Sequence, residues 1–414
     1  MLFKNISRMS AIRAYLSLEA VQSLAFSLAF TLQGLYFVQQ AHLTPLQLLL
    51  VGAVLEGSAF LLEVPTGVIA DLYSRRLSIV LGCAFLGVGM LLVGSFPTFG
   101  VILGAQLVSA LGYTCLSGAQ ESWLADELGE ERLGALLLQG AQVGRLAGVL
   151  GILAAAGLGT FGLATLGLGL PMLLGGALLL GLSLVLHLGM PEDGFTPAPP
   201  QERQGWAGFG GTLLGGVRAV RGSRVLGLLV LAALLSGASS EAFDRLNEFQ
   251  LLRGVGLPGV LPAPLWFAAL SLAGLVAALI VTEPLRRRLE HLDARRSART
   301  LSVLTALMAA ALLLFAFAHG FVWAAAAMTA LNVLRGLYGP LYSAWLNAGL
   351  ASRHRATVNS LASQADALGQ VSFGPLFGLA GNVWGVPAAL ALAALVRLPI
   401  LLLLRRGGKQ AQTP

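Results

Sequence analysis

Long apolar segments, each of about 20 residues or more, follow one another along almost the whole chain, with short polar loops between them. A helix needs about 20 mostly apolar residues to cross a bilayer, so this pattern restricts the chain to a helical membrane protein. The composition agrees, because 56% of the 414 residues are hydrophobic and only 11% are charged. Twelve segments meet the length criterion, at residues 14–38, 45–70, 77–95, 98–125, 134–157, 163–188, 223–249, 263–284, 299–318, 320–348, 356–380 and 384–404.

Basic side chains concentrate in the loops that share one side of the membrane with the N-terminus. Those loops include Arg75, Arg76 and the run Arg286–Arg288, whereas the loops on the other side hold only Arg253. The positive-inside rule therefore predicts cytoplasmic N- and C-termini, which requires an even number of spans. Glu19 interrupts the first apolar run, so we expect a retained helix rather than a cleaved signal peptide. The scarcity of lysine beside arginine is typical of a GC-rich bacterial genome, and we expect the bacterial inner membrane.

A polar, proline-rich stretch interrupts the apolar pattern near the middle of the chain. It predicts a cytoplasmic linker at residues 190–222, between an N-terminal bundle at 1–189 and a C-terminal bundle with a short cytoplasmic tail at 223–414. The second half of the linker has two open interpretations, an amphipathic helix on the membrane surface or an unstructured tether.

The two halves of the chain show an internal sequence repeat. Trp123 aligns with Trp345 and Asp71 with Asp293, each pair 222 residues apart. A duplicated six-helix unit is one of the repeat architectures of secondary transporters. We therefore predict an all-α membrane protein with twelve transmembrane helices in two pseudo-symmetric six-helix bundles.

The loop between the second and third apolar segments carries the pattern Gly67-x-x-x-Asp71-x-x-x-Arg75-Arg76. It resembles the signature loop of the major facilitator superfamily, with Leu72 in place of a basic residue and Ser74 in place of the second glycine. The resemblance, which extends to the twelve spans, the linker and the duplication, implies transport by alternating access.

The same resemblance implies a conformational latch at the cytoplasmic ends of the helices. Arg75 is expected to pair with an acid at the end of helix four, Asp126 or Glu127, and Asp71 to face the N-terminus of helix eleven. We expect Gly67 to permit close helix contact and Arg76 to hold the loop in the cytoplasm.

Several stretches, "LEGSAFLLEVPTG" and "RGLYGPLYSAWLN" among them, resemble bacterial drug-efflux-like members of the superfamily. The glycine- and proline-rich antiporter motif of helix five is not kept, because the segment reads "GAQVGRLAGVLG" with Arg145 in place of the proline. The resemblance implies export of small compounds, and the altered motif bears against drug–proton exchange.

Four charged residues fall near the middle of their predicted helices: Glu56, Arg145, Arg335 and Asp366. A charge at that depth costs at least about 2.5 kcal/mol, so such residues usually face a cavity or a partner. We predict that Glu56 and Asp366 are protonatable groups of a proton-coupling site, with the two arginines as counter-charges or substrate ligands. The alternative is a set of static ion pairs that hold the helices in register.

Further candidates lie on helices four, seven and ten. Glu241 and Arg245 are four residues apart and are expected to pair on one helix face, with Glu241 as a third proton-coupling candidate. Their cluster is interpreted as an outer gate or a cation-attracting vestibule, or alternatively as an interfacial salt-bridge group. Glu121, Tyr338 and Tyr342 are candidates to line a substrate cavity, where tyrosine rings stack on lipophilic cations. Trp123 and Trp345 are interpreted as anchors at the membrane interface.

Two functions remain open at this point. The first is proton-coupled efflux of small amphiphilic compounds; the second is import or exchange of a small, possibly anionic, metabolite bound by Arg145 and Arg335. A non-transporting receptor on the same fold is a third class. The sequence shows no phosphate-cradling glycine loop, nucleophile arrangement or metal-ligand cluster, so we predict neither an enzyme, a cofactor, a metal nor a nucleic-acid partner. The expected partners are the small-molecule substrate, protons as coupling ion and the lipid bilayer, with the protein a monomer.

Overall fold

The structure, a computed structural model, describes residues 9–161, 167–196, 220, 222–282, 284–285, 293–348, 350 and 352–410. Within those residues the regular elements are helices, and no β-strand occurs among them. The predicted all-α class is therefore confirmed. Most of the predicted linker lies outside the described residues, as do Arg286, Arg287 and Arg288.

The described helices follow the predicted apolar segments closely. The α-helices are α1 (Ala11–Gln39), α2 (Pro45–Leu72), α3 (Arg75–Ser95), α4 (Phe99–Leu116), α5 (Ala119–Leu128), α6 (Glu130–Phe161), α7 (Leu170–Gly189), α8 (Arg224–Phe249), α9 (Ala263–Ala277), α10 (Ala294–Ala316), α11 (Phe321–Leu346), α12 (Ser352–Trp384) and α13 (Val386–Gln410). Short π-helical segments, Gln250–Val255 and Ala278–Thr282, continue α8 and α9.

The number of long apolar helices agrees with the twelve predicted spans. Eleven stretches of the described residues are long and apolar enough to cross a membrane, and α4 and α5 together form one of them. The remaining helix, α12, has 33 residues, but polar side chains such as Asp366 and Gln370 lower its hydropathy. It occupies the position of the eleventh predicted span, which brings the total to twelve.

The predicted fourth span is not one continuous helix. It breaks after Leu116, where Ser117 is extended and Gly118 has φ +73°, and it resumes as α5 at Ala119. Glycine adopts a positive φ at little steric cost, which explains the residue type at the break. The prediction missed this break because the apolar run at 98–125 continues through it. At the repeat offset, Gly118 corresponds to Pro340, which lies inside the unbroken helix α11.

Polar caps begin two of the helices that border the predicted cytoplasmic loops. Ser74 Oγ accepts a hydrogen bond from Leu77 N (2.9 Å) at the start of α3, and Asp293 Oδ1 accepts one from Arg296 N (2.7 Å) at the start of α10. Asp293 is thus an N-cap, whereas Asp71 lies in the last turn of α2. The alignment of these two aspartates at the repeat offset therefore does not reflect equivalent structural positions.

The chain divides into two compact units. The first comprises the described residues within Met1–His42, Ser58–Gly205 and Pro262–Ala268; the second comprises those within Leu43–Gly57, Trp206–Leu261 and Ala269–Pro414. In the first unit α1 packs on α6 and α7, and α3 packs on α4 and α7; in the second, α8 packs on α12 and α13, and α10 packs on α11 and α13. These pairs correspond helix by helix, which is the pattern that a duplicated six-helix unit predicts.

Glycines allow a close helix crossing in the second unit, between α8 and α12. A Cβ on Gly369 would overlap the carbonyl oxygen of Leu234 and lie 2.8 Å from the backbone nitrogen of Ala238. A Cβ on Gly237 would overlap the carbonyl oxygen of Asp366. Small residues at such crossings let helix backbones approach closely in membranes. The crossing fixes where Asp366 sits relative to α8.

We expect Gly369→Ala to lower the free energy of unfolding by about 2 kcal/mol relative to Gly274→Ala on α9 of the same unit, because over-packing of a close contact typically costs about 1–3 kcal/mol. Both changes replace a glycine inside a helix and gain similar helix propensity. At Gly274 the nearest atom to an added Cβ is Asn332 Nδ2 at 3.7 Å, an ordinary contact. Thermal unfolding of the two variants in detergent measures the difference; equal melting temperatures would show that the crossing is looser than described.

Candidate functional site

A cavity of about 550 Å³ lies in the second unit, walled by α2, α8, α11 and α12. Its ionisable acidic lining consists of two carboxylates, Glu56 from α2 and Asp366 from α12. Tyr338 and Tyr342 of α11 line the same space, and no basic side chain of the described residues does. Four of the predicted site residues are therefore brought together around one cavity.

Asp366 is held in place within its own helix. Its carboxylate accepts a hydrogen bond from Gln370 Nε2 at 2.7 Å, one turn further along α12. Gln370 also lines the cavity, together with Asn359 and Ser363 of the same helix. These amide and hydroxyl groups were not predicted as site residues; the four-residue spacing of Asp366 and Gln370 is the signal that indicates their contact.

Glu56 lies beside a buried ion pair of α8. Arg245 Nε donates to Glu241 Oε1 at 3.0 Å, as the four-residue spacing predicts, and Glu241 is only 2% exposed. Helix α2 passes this pair at Gly52, where a Cβ would overlap Glu241 Oε1 and Arg245 Nε. Glu56 is one helical turn from Gly52 and so lies on the same side of α2. The absence of a side chain at Gly52 lets α2 bring Glu56 close to the pair.

Arg335 has a different partner from the one predicted. Its guanidinium donates two hydrogen bonds to Asp244, from Nη1 to Oδ1 (2.5 Å) and from Nη2 to Oδ2 (2.7 Å). This bidentate geometry is the strong form of an arginine–carboxylate pair. Asp244 is therefore the side chain that Arg335 contacts directly, and the role of Arg335 as a counter-charge to Glu56 and Asp366 stays a prediction.

The two tyrosines of α11 form a stacked pair. Their ring centroids are 5.9 Å apart and the ring planes differ by 13°. Tyr342 donates its hydroxyl hydrogen to the carbonyl oxygen of Leu229 on α8 at 2.9 Å, which fixes the ring at the cavity wall. The pair offers aromatic surface next to two carboxylates, a combination that suits a cationic, partly apolar ligand.

Arg397 is a buried arginine on α13. Its side chain is 4% exposed, and it donates to Ser236 Oγ (3.2 Å) and to Met308 Sδ (3.6 Å). Ser236 lines the cavity. Within the described residues, no carboxylate lies within ion-pairing distance of this guanidinium, which contacts the cavity wall from behind through Ser236.

The other two candidates lie in the first unit. Arg145 on α6 is exposed, and the described part of the chain provides no ion-pair partner for it. Glu121 is exposed in the first turn of α5. Its neighbour Gln120 donates to Glu19 of α1 at 2.5 Å, so the polar contact between α1 and α5 is made by Gln120 rather than by Glu121.

The predicted latch stretch forms a polar cluster at the end of α3. Arg75 pairs with Asp126 and also donates to the carbonyl oxygen of Ser122 at 2.7 Å. Of the two acids that the resemblance left open, the partner is thus Asp126. Asp71 is 70% exposed, and its carboxylate is 4.0 Å from Arg75 Nη2.

Two details of this cluster depart from the sequence expectations. No atom of the described part of its own unit lies within 4 Å of a Cβ built on Gly67, so a close helix contact at Gly67 is not made within that unit, and a contact with the other half stays a prediction. Glu192, which was not predicted, accepts hydrogen bonds from Ser74 Oγ (2.7 Å) and Arg76 N (2.8 Å). Ser74, which replaces the glycine of the signature loop, thereby ties α3 to the chain after α7.

The two repeat tryptophans are buried rather than interfacial. Trp123 is fully buried and donates its indole N–H to the carbonyl oxygen of Pro191 at 2.8 Å. Trp345 is 5% exposed and packs against Gly407 of α13. The prediction of interface anchors is wrong because each half covers its tryptophan with the chain that ends that half.

The helix order, the helix packing within each unit and the polar cavity in a helical core define a multi-pass membrane transporter fold. Residues 16–375 match the family model described as "Major Facilitator Superfamily". The chain is a member of the major facilitator superfamily.

One curated relative is an uncharacterized MFS-type transporter, YxaM, of Bacillus subtilis (strain 168), which is 30% identical over 132 residues. The alignment covers 31% of this chain and 32% of the relative, so the chain matches about a third of that protein's length.

Solved structures share the fold over almost the whole chain. The nucleoside transporter NupG has a TM-score of 0.75 at 13% identity, with 98% of this chain and 100% of that chain covered. A POT family transporter in complex with 5-aminolevulinic acid has a TM-score of 0.72 at 14% identity, with 97% and 96% covered. The human organic anion transporter MFSD10 has a TM-score of 0.60 at 16% identity, with 95% and 99% covered. At these identities the likeness shows the fold alone.

Proposed function

We propose that the protein is a secondary active transporter that exports small amphiphilic cations in exchange for protons by alternating access. The observation that carries this proposal is the charge of the cavity in the second unit. Its charged lining is Glu56 and Asp366, beside the stacked rings of Tyr338 and Tyr342. A site of this composition attracts a cation and offers it aromatic faces.

The neighbouring arginines favour a cation over an anion as substrate. Arg245 is paired with Glu241 and Arg335 with Asp244, so the positive charge of each guanidinium is already balanced by a carboxylate. Separating either pair to bind an anion would leave a charge without its partner in a region of low dielectric, which is costly. Metabolite anions would need an arginine that the cavity walls do not present.

Proton coupling follows from competition for the same carboxylates. A cation bound between Glu56 and Asp366 requires at least one of them to be ionised, and a proton on Oε or Oδ removes that charge. A proton that binds to the carboxylate therefore displaces the cation, which couples substrate release to proton uptake. Glu241 remains a further coupling candidate, because protonation of its carboxylate would free Arg245.

A second candidate function, import or exchange of a small anionic metabolite, is favoured by Arg397 alone. Its guanidinium reaches Ser236 on the cavity wall and has no carboxylate partner among the described residues. Rotation of the Ser236 side chain away from Arg397 would let an anion bound in the cavity contact the guanidinium directly. Arg145, the other arginine proposed for an anion, lies in the first unit.

We further propose a monomer in the bacterial inner membrane with both termini in the cytoplasm, in line with the distribution of basic loops. The division into bundles at 1–189 and 223–414, and the engagement of Asp71 by the second half of the chain, stay predictions. Nothing in the proposal requires a cofactor, a metal or a nucleic acid.

The test is equilibrium binding of a matched panel to the purified protein: a lipophilic cation, an isosteric neutral compound and an organic anion. We expect the cation to bind, and its affinity to fall as the pH is lowered, because protons occupy the carboxylates. Tighter binding of the anion, with loss of binding in Arg397→Gln, would replace this function with the second candidate.

A further inference from the structure

A second cavity, of about 490 Å³, is a groove between α10 and α13 on the surface of the second unit. Four basic side chains line it: Arg295 and Arg299 from α10, and Arg405 and Lys409 from α13. All four are exposed, and its described lining contains no acidic residue. The groove therefore concentrates four positive charges without an internal counter-ion.

The groove changes from basic to apolar along its length. On α10 the lining residues step by one helical turn from Arg299 to Val303, and on α13 they step in the same way from Arg405 to Leu401. Val303 is 53% exposed, so its apolar side chain is open at the surface. A polar end that leads into an exposed apolar wall matches the two parts of a phospholipid.

Small residues form the floor of the groove. A Cβ on Gly408 would lie 2.6 Å from the Cβ of Ala298, so α10 and α13 meet there without long side chains between them. The four long basic side chains line the groove around this contact and are exposed. This packing provides room for a head group without separating the helices.

The corresponding helix pair of the first unit, α3 and α7, packs as α10 and α13 do. When the helices are aligned on their N-caps, Ser74 and Asp293, α3 carries Arg76 where α10 carries Arg295, but Val80 where α10 carries Arg299. The α10 side of the groove is therefore more basic than the matching part of α3.

We propose that this groove binds an anionic phospholipid, with the phosphate held by the four basic side chains and an acyl chain along the apolar wall. Basic pockets between transmembrane helices on the cytoplasmic side hold anionic lipid head groups, and arginine pairs with phosphate through two parallel hydrogen bonds. The occupant is a lipid rather than a soluble anion because the apolar wall at Val303 and Leu401 lies next to the basic side chains, where an acyl chain can pack and a soluble anion cannot.

The experiment measures binding of phosphatidylglycerol, with phosphatidylcholine as the neutral comparison, to the full-length purified protein by native mass spectrometry. The test variant is Arg299→Gln/Arg405→Gln. The matched control is Arg296→Gln/Arg406→Gln, which removes the same charge from exposed neighbours on the same two helices outside the groove.

We expect the wild type to retain phosphatidylglycerol in preference to phosphatidylcholine, and the test variant to bind it about thirtyfold more weakly, the effect typical of two basic residues at an anionic surface. The control pair should change binding less than threefold, and Arg299→Lys/Arg405→Lys should restore most of it, because the charge returns. An unchanged elution volume in gel filtration verifies that each variant is folded.

Three outcomes overturn the proposal. Equal losses in the test and control pairs would indicate a general surface charge. Equal retention of the two lipids by the wild type would show that the head group is not recognised. Displacement of phosphatidylglycerol by inorganic phosphate at similar concentration would indicate a soluble-anion site. None of these results depends on transport activity, so they are distinct from failure of the proposed function.

Discussion

Asp366→Asn is expected to reduce pH-gradient-driven transport of a lipophilic cation by about a hundredfold in proteoliposomes. The exchange needs an ionised carboxylate at this position for the substrate and a protonated one for the return step. Loss of one buried charge partner is typically worth about 3 kcal/mol, which corresponds to roughly two factors of ten. Asparagine retains an oxygen that can accept the hydrogen bond from Gln370, so the helix should be unperturbed.

Ser363→Ala is the matched control, because Ser363 lines the same cavity one turn before Asp366 but carries no charge. Its transport should stay within about threefold of the wild type. Glu56→Gln should impair transport as Asp366→Asn does, since both carboxylates line the cavity. Full pH-driven transport by Asp366→Asn would remove this residue from the coupling mechanism and leave it a structural group.

Glu241→Gln is expected to lower the free energy of unfolding by about 3 kcal/mol. The change leaves Arg245 without the carboxylate that its Nε contacts at 3.0 Å, and breaking a buried pair by removing one partner typically costs about 3–5 kcal/mol. Glu241 is 2% exposed, so water screens little of this effect. Thermal unfolding in detergent, followed by tryptophan fluorescence, measures the loss.

Replacing both partners, as Glu241→Gln/Arg245→Met, should recover most of the lost stability, because no unpaired charge remains. Glu248→Gln is the control on the same helix, since no basic side chain of the described residues lies within ion-pairing distance of Glu248. We expect that control not to lower the free energy of unfolding as Glu241→Gln does, because it leaves no arginine without its carboxylate. A double variant as unstable as Glu241→Gln would show that the pair matters through packing rather than charge.

Local sequence patterns predicted a large part of this structure. Apolar segment length located the helices to within a few residues at most ends, and the four-residue spacing of Glu241 and Arg245 predicted their contact. The resemblance of the loop around Arg75 to the signature loop left two neighbouring acids as possible partners of Arg75, and the structure shows that the partner is Asp126. In each case the relevant interaction is either within one helix or within a motif of fixed geometry.

The unpredicted features depend on how separate helices are aligned. The pairing of Asp244 with Arg335 joins residues 91 positions apart and depends on the rotation of α8 against α11. The burial of Trp123 by Pro191 likewise depends on a chain segment that returns after α7. Hydropathy alone does not determine helix rotation, so neither contact follows from the sequence pattern.

The break between α4 and α5 shows a different limit. Glycine is common inside membrane helices, so Gly118 by itself does not indicate a positive φ. Only the structure shows that the chain turns there and that Glu121 then begins a new short helix instead of continuing a cavity-lining one. Whether Glu121 lines a substrate cavity stays a prediction.

The central claim is exchange of protons for cations through the carboxylate-lined cavity. The most direct measurement uses the purified protein in liposomes with an acidic lumen, and follows uptake of a fluorescent lipophilic cation beside that of an organic anion, with protein-free liposomes as reference. We predict protein-dependent cation uptake that alkalinises the lumen and stops when an ionophore removes the pH gradient. Uptake of the anion instead of the cation, or cation uptake that does not depend on the pH gradient, would contradict proton–cation exchange.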